Sequence, residues 1–199
     1  MSQPPSAPFH PLRGLRALPF ALGLVLMGHI VPAMAEGNPA IPRDAGNPPA
    51  RVWEKFATPK ADRIVVYKAL RQMQLLHGNE VLRTYHVALG RKPYGQKTEA
   101  GDGRTPEGRY FIDRRNMFSD YHLALHISYP DTNDIRRAAA LGVEPGGSIM
   151  IHGLPNGMGS IGSAHRLRDW TAGCIAVTDS EIDEIWKLVP TGTPVEIRP

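Results

Sequence analysis

The sequence predicts a mainly β domain with short helices, an α+β arrangement closer to an antiparallel sandwich or open barrel than to a doubly wound sheet. Three observations carry this. Ile64-Val65-Val66-Tyr67, Arg71 to Leu76 and Glu80 to Leu89 are β-rich runs separated by tight turns, as in an antiparallel meander. His122 to Tyr129 has a period of two, with Leu123, Leu125 and Ile127 on one face and His122, Ala124 and His126 on the other. The helical signals are few and short: Asp134 to Leu141, and Thr178 to Val189.

The chain has 199 residues, enough for one ordinary domain with a core. Its first 35 residues contain no acid, carry Arg13 and Arg16, and continue as ALPFALGLVLMGHIVPAMA. A basic start, an apolar run and Ala33-Met34-Ala35 make a secretory signal with cleavage after Ala35. The alternative is an uncleaved membrane anchor, since the run could nearly span a bilayer. Residues 36–62 are proline-rich without an apolar period and read as a linker, with Val52, Trp53 and Phe56 expected to dock on the domain of residues 63–199. Cleavage would remove two of 23 Lys+Arg and none of 19 Asp+Glu, leaving a net charge of +2. That is too small to argue for nucleic acid, and no basic run with interleaved aromatics is present.

In the meander, His77-Gly78-Asn79 turns the second run into the third. Gly95 to Tyr110 (GQKTEAGDGRTPEGRY) is rich in turn formers and reads as a surface loop before a strand at Tyr110-Phe111-Ile112. His122 and His126 could suggest metal ligands, but a third ligand at suitable spacing is missing. They read instead as polar lining beside a groove, and no metal is expected. Asp134 sits near the positive end of a helix stopped by Gly142. Ser148 to His152 reads as a buried strand delivering His152 at its tip. Gly157, Gly159 and Gly162 match G-x-G-x-x-G, yet Pro155 and Asn156 interrupt the entry and the upstream strands look antiparallel, so these glycines read as a loop rather than a dinucleotide site. Thr178 and Glu181 form a capping box on a helix whose apolar face is Ile182, Ile185, Trp186 and Val189. Thr193 to Arg198 is a closing strand.

Cys174 is the only cysteine. Free cysteine is by default a buried apolar filler. Three observations favour a nucleophile: a Gly-Cys corner before a capped helix, an upstream strand ending in His-Gly, and an exported chain with no second cysteine to pair. The helix N-terminus would favour the thiolate, and His152 could take its proton. An NlpC/P60-like thiol peptidase places its cysteine before its histidine, the reverse of the order here.

His152-Gly153 followed by Thr171-Ala172-Gly173-Cys174 resembles the YkuD-type L,D-transpeptidase family, whose signature is His-Gly and then Ser/Thr-His-Gly-Cys. Ala172 stands where most members carry a second histidine, and Ala176 where many carry arginine or asparagine. The run DWTAGCIAVT is similar to a subgroup with periplasmic enzymes acting on lipoprotein-to-peptidoglycan linkages. The resemblance implies a YkuD-like fold, periplasmic location and an acyl-enzyme on Cys174 formed from peptidoglycan stem peptides. His152 would be the base, oriented by the Gly153 carbonyl; Gly173 and Cys174 amides would hold the oxyanion, and Thr171 would orient the loop. GDGRTPEG is also family-like, which makes Lys97, Asp102 and Arg104 candidates for shaping the site. His165, Arg166, Arg168, Asp169 and His126 are the candidate substrate-binding residues, the first four as replacements for the groups missing at Ala172 and Ala176. No cofactor is expected, and the chain is expected to be a monomer. The acceptor would be an amine, giving a cross-link or lipoprotein attachment; the alternatives are water, giving a carboxypeptidase or amidase, or an inactive wall-binding module.

Overall fold

A computed structural model describes residues 58–199. The expected signal, most of the linker, and Val52, Trp53 and Phe56 lie outside the described residues. The strands are β1 (Arg63–Tyr67), β2 (Gln72–His77), β3 (Glu80–His86), β4 (Gly108–Ser119), β5 (His122–Ile127), β6 (Met150–His152), β7 (Ile175–Ala176) and β8 (Pro194–Arg198). The helices are α1 (Thr132–Ala140), a 3-10 helix (Gly159–Leu167) and α2 (Asp179–Leu188). All eight strands form one curled sheet in the order β3-β2-β1-β8-β4-β5-β6-β7, a half-barrel with short helices, as the sequence predicts for the class.

The meander β1-β2-β3 is antiparallel throughout, with Val65 opposite Gln74 and Leu75 opposite Arg83. Alternation explains its core side: Ile64, Val66, Met73 and Leu75 are fully buried. Two pairs are parallel, against the expectation of an antiparallel sheet: β1 with β8, and β6 with β7. Each joins segments far apart in sequence, so no tight turn announces it. Beyond β3 the chain forms bridges from Ala88 to Ala176 and from Gly90 to Thr171. The two edges of the sheet therefore meet beside Cys174.

Several elements differ from the sequence expectation. The strand expected at Tyr110-Phe111-Ile112 extends to Ser119, because Arg114, Arg115 and Asn116 pair with His126, Leu125 and Ala124. The expected loop after Gly157 contains the 3-10 helix, with Gly162 breaking it at φ +51°. The first α-helix begins at Thr132, two residues early, because Asp131 caps it and closes a capping box with Asp134. The Gly95–Tyr110 segment is pinned rather than loose. The Lys68 ammonium, almost fully buried, donates to Gly95 O (2.7 Å), Thr105 O (2.9 Å) and Glu107 Oε1 (2.8 Å). Lys97 Nζ pairs with Asp102 Oδ1 at 2.7 Å, both side chains buried.

Helix α2 starts where the sequence places it. Thr178 accepts from Glu181 N–H while the Glu181 carboxylate accepts from Thr178 N–H. Its Ile182, Ile185 and Leu188 pack into the core, each worth roughly 1.5–3 kcal/mol of burial. Trp186 lies at the edge of that core, under the Arg115 guanidinium at 3.9 Å.

Candidate active site

His152 ends β6, and Cys174 immediately precedes β7. Because β6 and β7 run parallel, with His152 opposite Ala176, the imidazole and the thiol come from neighbouring chain segments. Both border one cleft of about 390 Å³, together with Arg91, Ser119, Asp120, Tyr121, Thr171 and Ala172 among others. His152 Nδ1 lies 2.7 Å from Gly153 O. A carbonyl only accepts, so Nδ1 carries the proton and Nε2 keeps the lone pair. The ring is also fixed from its faces: the Tyr121 ring centroid lies 4.5 Å away and that of Trp170, edge-on, 5.8 Å away.

The turn carrying the thiol is held from inside. Thr171 Oγ1 donates to Cys174 O (2.8 Å) and accepts from Gly173 N–H (3.1 Å). The Gly173 amide, expected to hold an oxyanion, is thus committed to Thr171, which leaves the Cys174 amide of the expected pair. Gly173 adopts φ +141°, and a Cβ there would stand 2.7 Å from Arg104 O. The GDGRTPEG segment therefore shapes the site through backbone contact and the buried Lys97–Asp102 pair beneath it.

Other candidates are placed as follows. Asp169 accepts from Arg71 Nη2 (2.9 Å) and from Leu89 N–H (2.9 Å), fixing the run that bridges to Thr171. Arg166 forms an ion pair with Glu181. Both side chains are thus occupied by structural partners. His165 is buried, and its Nδ1 accepts from Trp170 Nε1–H at 3.4 Å. With Arg168 it borders a second, apolar groove of about 320 Å³, with Trp170 as the wall shared with the first. His126 does not border the cleft: its Nδ1 pairs with Asp113 Oδ1 at 2.6 Å, because β4 runs on far enough to bring that carboxylate beside it. His122 likewise pairs with Asp183. Sequence reasoning missed Tyr121, Trp170, Arg91 and Asp120. Trp170 beside Thr171 was the available signal; the rest arrive by fold alone, from segments 50 or more positions before Thr171.

Burial pushes the Cys174 thiol above its ordinary value, and the Met150 amide and the Lys97 charge only partly oppose this. That reverses the expectation of a thiolate favoured by the helix N-terminus. Burial also holds His152 below its ordinary value, against the pull of the Gly153 carbonyl. Both shifts favour a neutral thiol beside a neutral imidazole over a standing thiolate–imidazolium pair.

These directions set a pH window for stability. Below about pH 6.5 the unfolded chain protonates His152 and the folded chain resists, so stability falls with falling pH. Above about pH 9 the unfolded chain ionises Cys174 and the folded chain resists, so stability falls with rising pH. Urea midpoints across pH 5 to 10 are expected to form a plateau, with Cys174→Ala flattening the alkaline limb and His152→Gln the acid one. A second expectation concerns Asp169: Asp169→Ala loses its hydrogen bonds to Arg71 and Leu89, a cost of about 1–2 kcal/mol visible in the same midpoints.

The L,D-transpeptidase catalytic domain model, YkuD, matches residues 61–197. The chain belongs to the YkuD L,D-transpeptidase family. YafK of Escherichia coli strain K12 is 32% identical over 123 residues, covering 60% of this chain and 42% of YafK. The chain thus spans less than half the length of that relative. Among solved structures, Pgp2 from Campylobacter jejuni, described as a helical cell shape determining protein, aligns with a TM-score of 0.52 at 22% identity, over 74% of this chain and 54% of Pgp2. A single-residue variant of Pgp2 gives a TM-score of 0.52 at 24% identity, over 70% and 47%. At these identities the likeness concerns the fold.

Proposed function

We propose that this YkuD-family domain is a periplasmic, cysteine-dependent L,D-transpeptidase acting on peptidoglycan stem peptides. The observation that carries the reading is the placement of His152 and Cys174 on one cleft, with Nδ1 held by Gly153 O so that the lone-pair nitrogen is Nε2. The thiol proton passes to Nε2 as the sulfur attacks the carbonyl on the L-centre of diaminopimelate. The C–N bond to the next residue breaks, the leaving amine takes the proton from the imidazolium, and a thioester remains. An acceptor amine then attacks the thioester, giving up a proton to Nε2 and returning the thiol. The Cys174 amide donates to the oxyanion in both steps. DWTAGCIAVT supports a place in the subgroup that handles lipoprotein linkages, and the basic, apolar N-terminal run supports export.

Incubation of the purified protein with muropeptides, followed by mass analysis, tests this. Cross-linked dimers or a peptide joined to an added amine are the expected products. Loss of the terminal residue with water incorporated would make the domain a hydrolase. Binding without conversion would make it a wall-binding module.

A further inference from the structure

Charged side chains around the site are mostly paired: Asp169 with Arg71, Arg166 with Glu181, Lys97 with Asp102. Two that border the catalytic cleft are not. Arg91 and Asp120 are exposed, and neither side chain makes an ion pair or hydrogen bond among the described residues. Their backbones are fixed nonetheless. Arg91 N–H donates to Thr171 O at 3.0 Å, which seats it beside the thiol turn, and Asp120 O accepts from Asn156 N–H at 2.9 Å, which holds the β4–β5 turn. The cleft therefore presents one free guanidinium and one free carboxylate from separate segments, on rigid mounts. Among the described residues, no other permanently charged side chain lies on its walls. Position 176, where many family members carry a polar group, offers nothing here: Ala176 is fully buried against Ala88.

We propose that Arg91 and Asp120 read a zwitterionic amino-acid head on the substrate, Arg91 binding its carboxylate and Asp120 its ammonium. Resting on the function proposed above, the head is the free second centre of diaminopimelate, whose first centre carries the carbonyl attacked by Cys174. Arg91 offers a planar donor fork suited to a carboxylate, and Asp120 accepts from an ammonium. Both are specificity-determining residues rather than part of the proton transfer.

The test uses three synthetic tetrapeptide donors ending in D-alanine that differ only at the third residue. Diaminopimelate carries both groups, lysine lacks the carboxylate, and 2-aminopimelate lacks the amine. Release of D-alanine is the readout, because transfer and hydrolysis both produce it. The wild type is expected to favour diaminopimelate over either analogue by about 10- to 100-fold in kcat/KM, mostly through KM. Arg91→Gln is expected to abolish the preference over lysine and keep that over 2-aminopimelate; Asp120→Asn is expected to do the reverse. Both side chains are exposed, so folding is not at stake. Equal turnover of all three donors by the wild type, or a variant that keeps wild-type discrimination at its own group, overturns the proposal and leaves the enzyme reading intact. Release from none of the donors would count instead against the enzyme reading on which the proposal stands.

Discussion

Cys174→Ala is expected to lower product formation from muropeptides by on the order of 10⁴-fold or more while the protein stays folded. The chain has no second thiol to take over. The side chain is only partly buried and touches Ser148 O at 3.5 Å as a weak donor, so truncation leaves little behind to collapse. Because burial raises the thiol's pKa, its removal should not cost stability at alkaline pH. Equal muropeptide turnover by variant and wild type would remove the sulfur from the mechanism.

Gly173→Ala is expected to cost about 3 kcal/mol or more and to silence the site with it. The residue combines φ +141° with a space in which a Cβ would stand 2.7 Å from Arg104 O and 3.1 Å from Ile149 Cδ1. The backbone strain alone is of order 1–3 kcal/mol, and the oxygen it would strike belongs to a segment pinned by buried ion pairs. Gly157→Ala is the control: φ is +82° but the space around it is open, so only the strain of about 1 kcal/mol is expected. Urea midpoints of the two variants separate the close approach from the conformational cost. Similar losses for both would mean that the thiol turn has room to shift.

What could be read in advance was local. The meander runs, the Met150–His152 end of the strand expected from Ser148, and the Thr178–Glu181 capping box each lie within a few residues and follow from periodicity or capping; Ser148 itself is exposed at φ +55° and stays outside the strand. The cleft walls were not local. Arg91, Asp120 and His152 reach one cavity because β3 and its continuation close against β7, because β5, which follows Asp120, pairs with β6, and because β6 pairs with β7 in parallel. Those contacts join distant segments and leave no periodic mark. The second half of β4, Asp113 to Ser119, was illegible because its residues are polar or exposed on both faces, so alternation was absent. Arg166 and Asp169 illustrate a different limit. Charges in a turn-rich stretch look available in sequence, but in the fold Glu181 and Arg71 already hold them. The ionisation of Cys174 was misjudged for a related reason: the helix N-terminus is visible in sequence, and the burial that outweighs it is not.

Intact-mass analysis of the protein mixed with a stem tetrapeptide and no added amine addresses the thiol and its imidazole partner together. The wild type is expected to show a transient adduct equal to the donor minus its terminal D-alanine, mapped by proteolysis to Cys174 and formed far more slowly in His152→Gln. An adduct on another residue, or D-alanine released at the wild-type rate by the Cys174→Ala protein, would contradict the account.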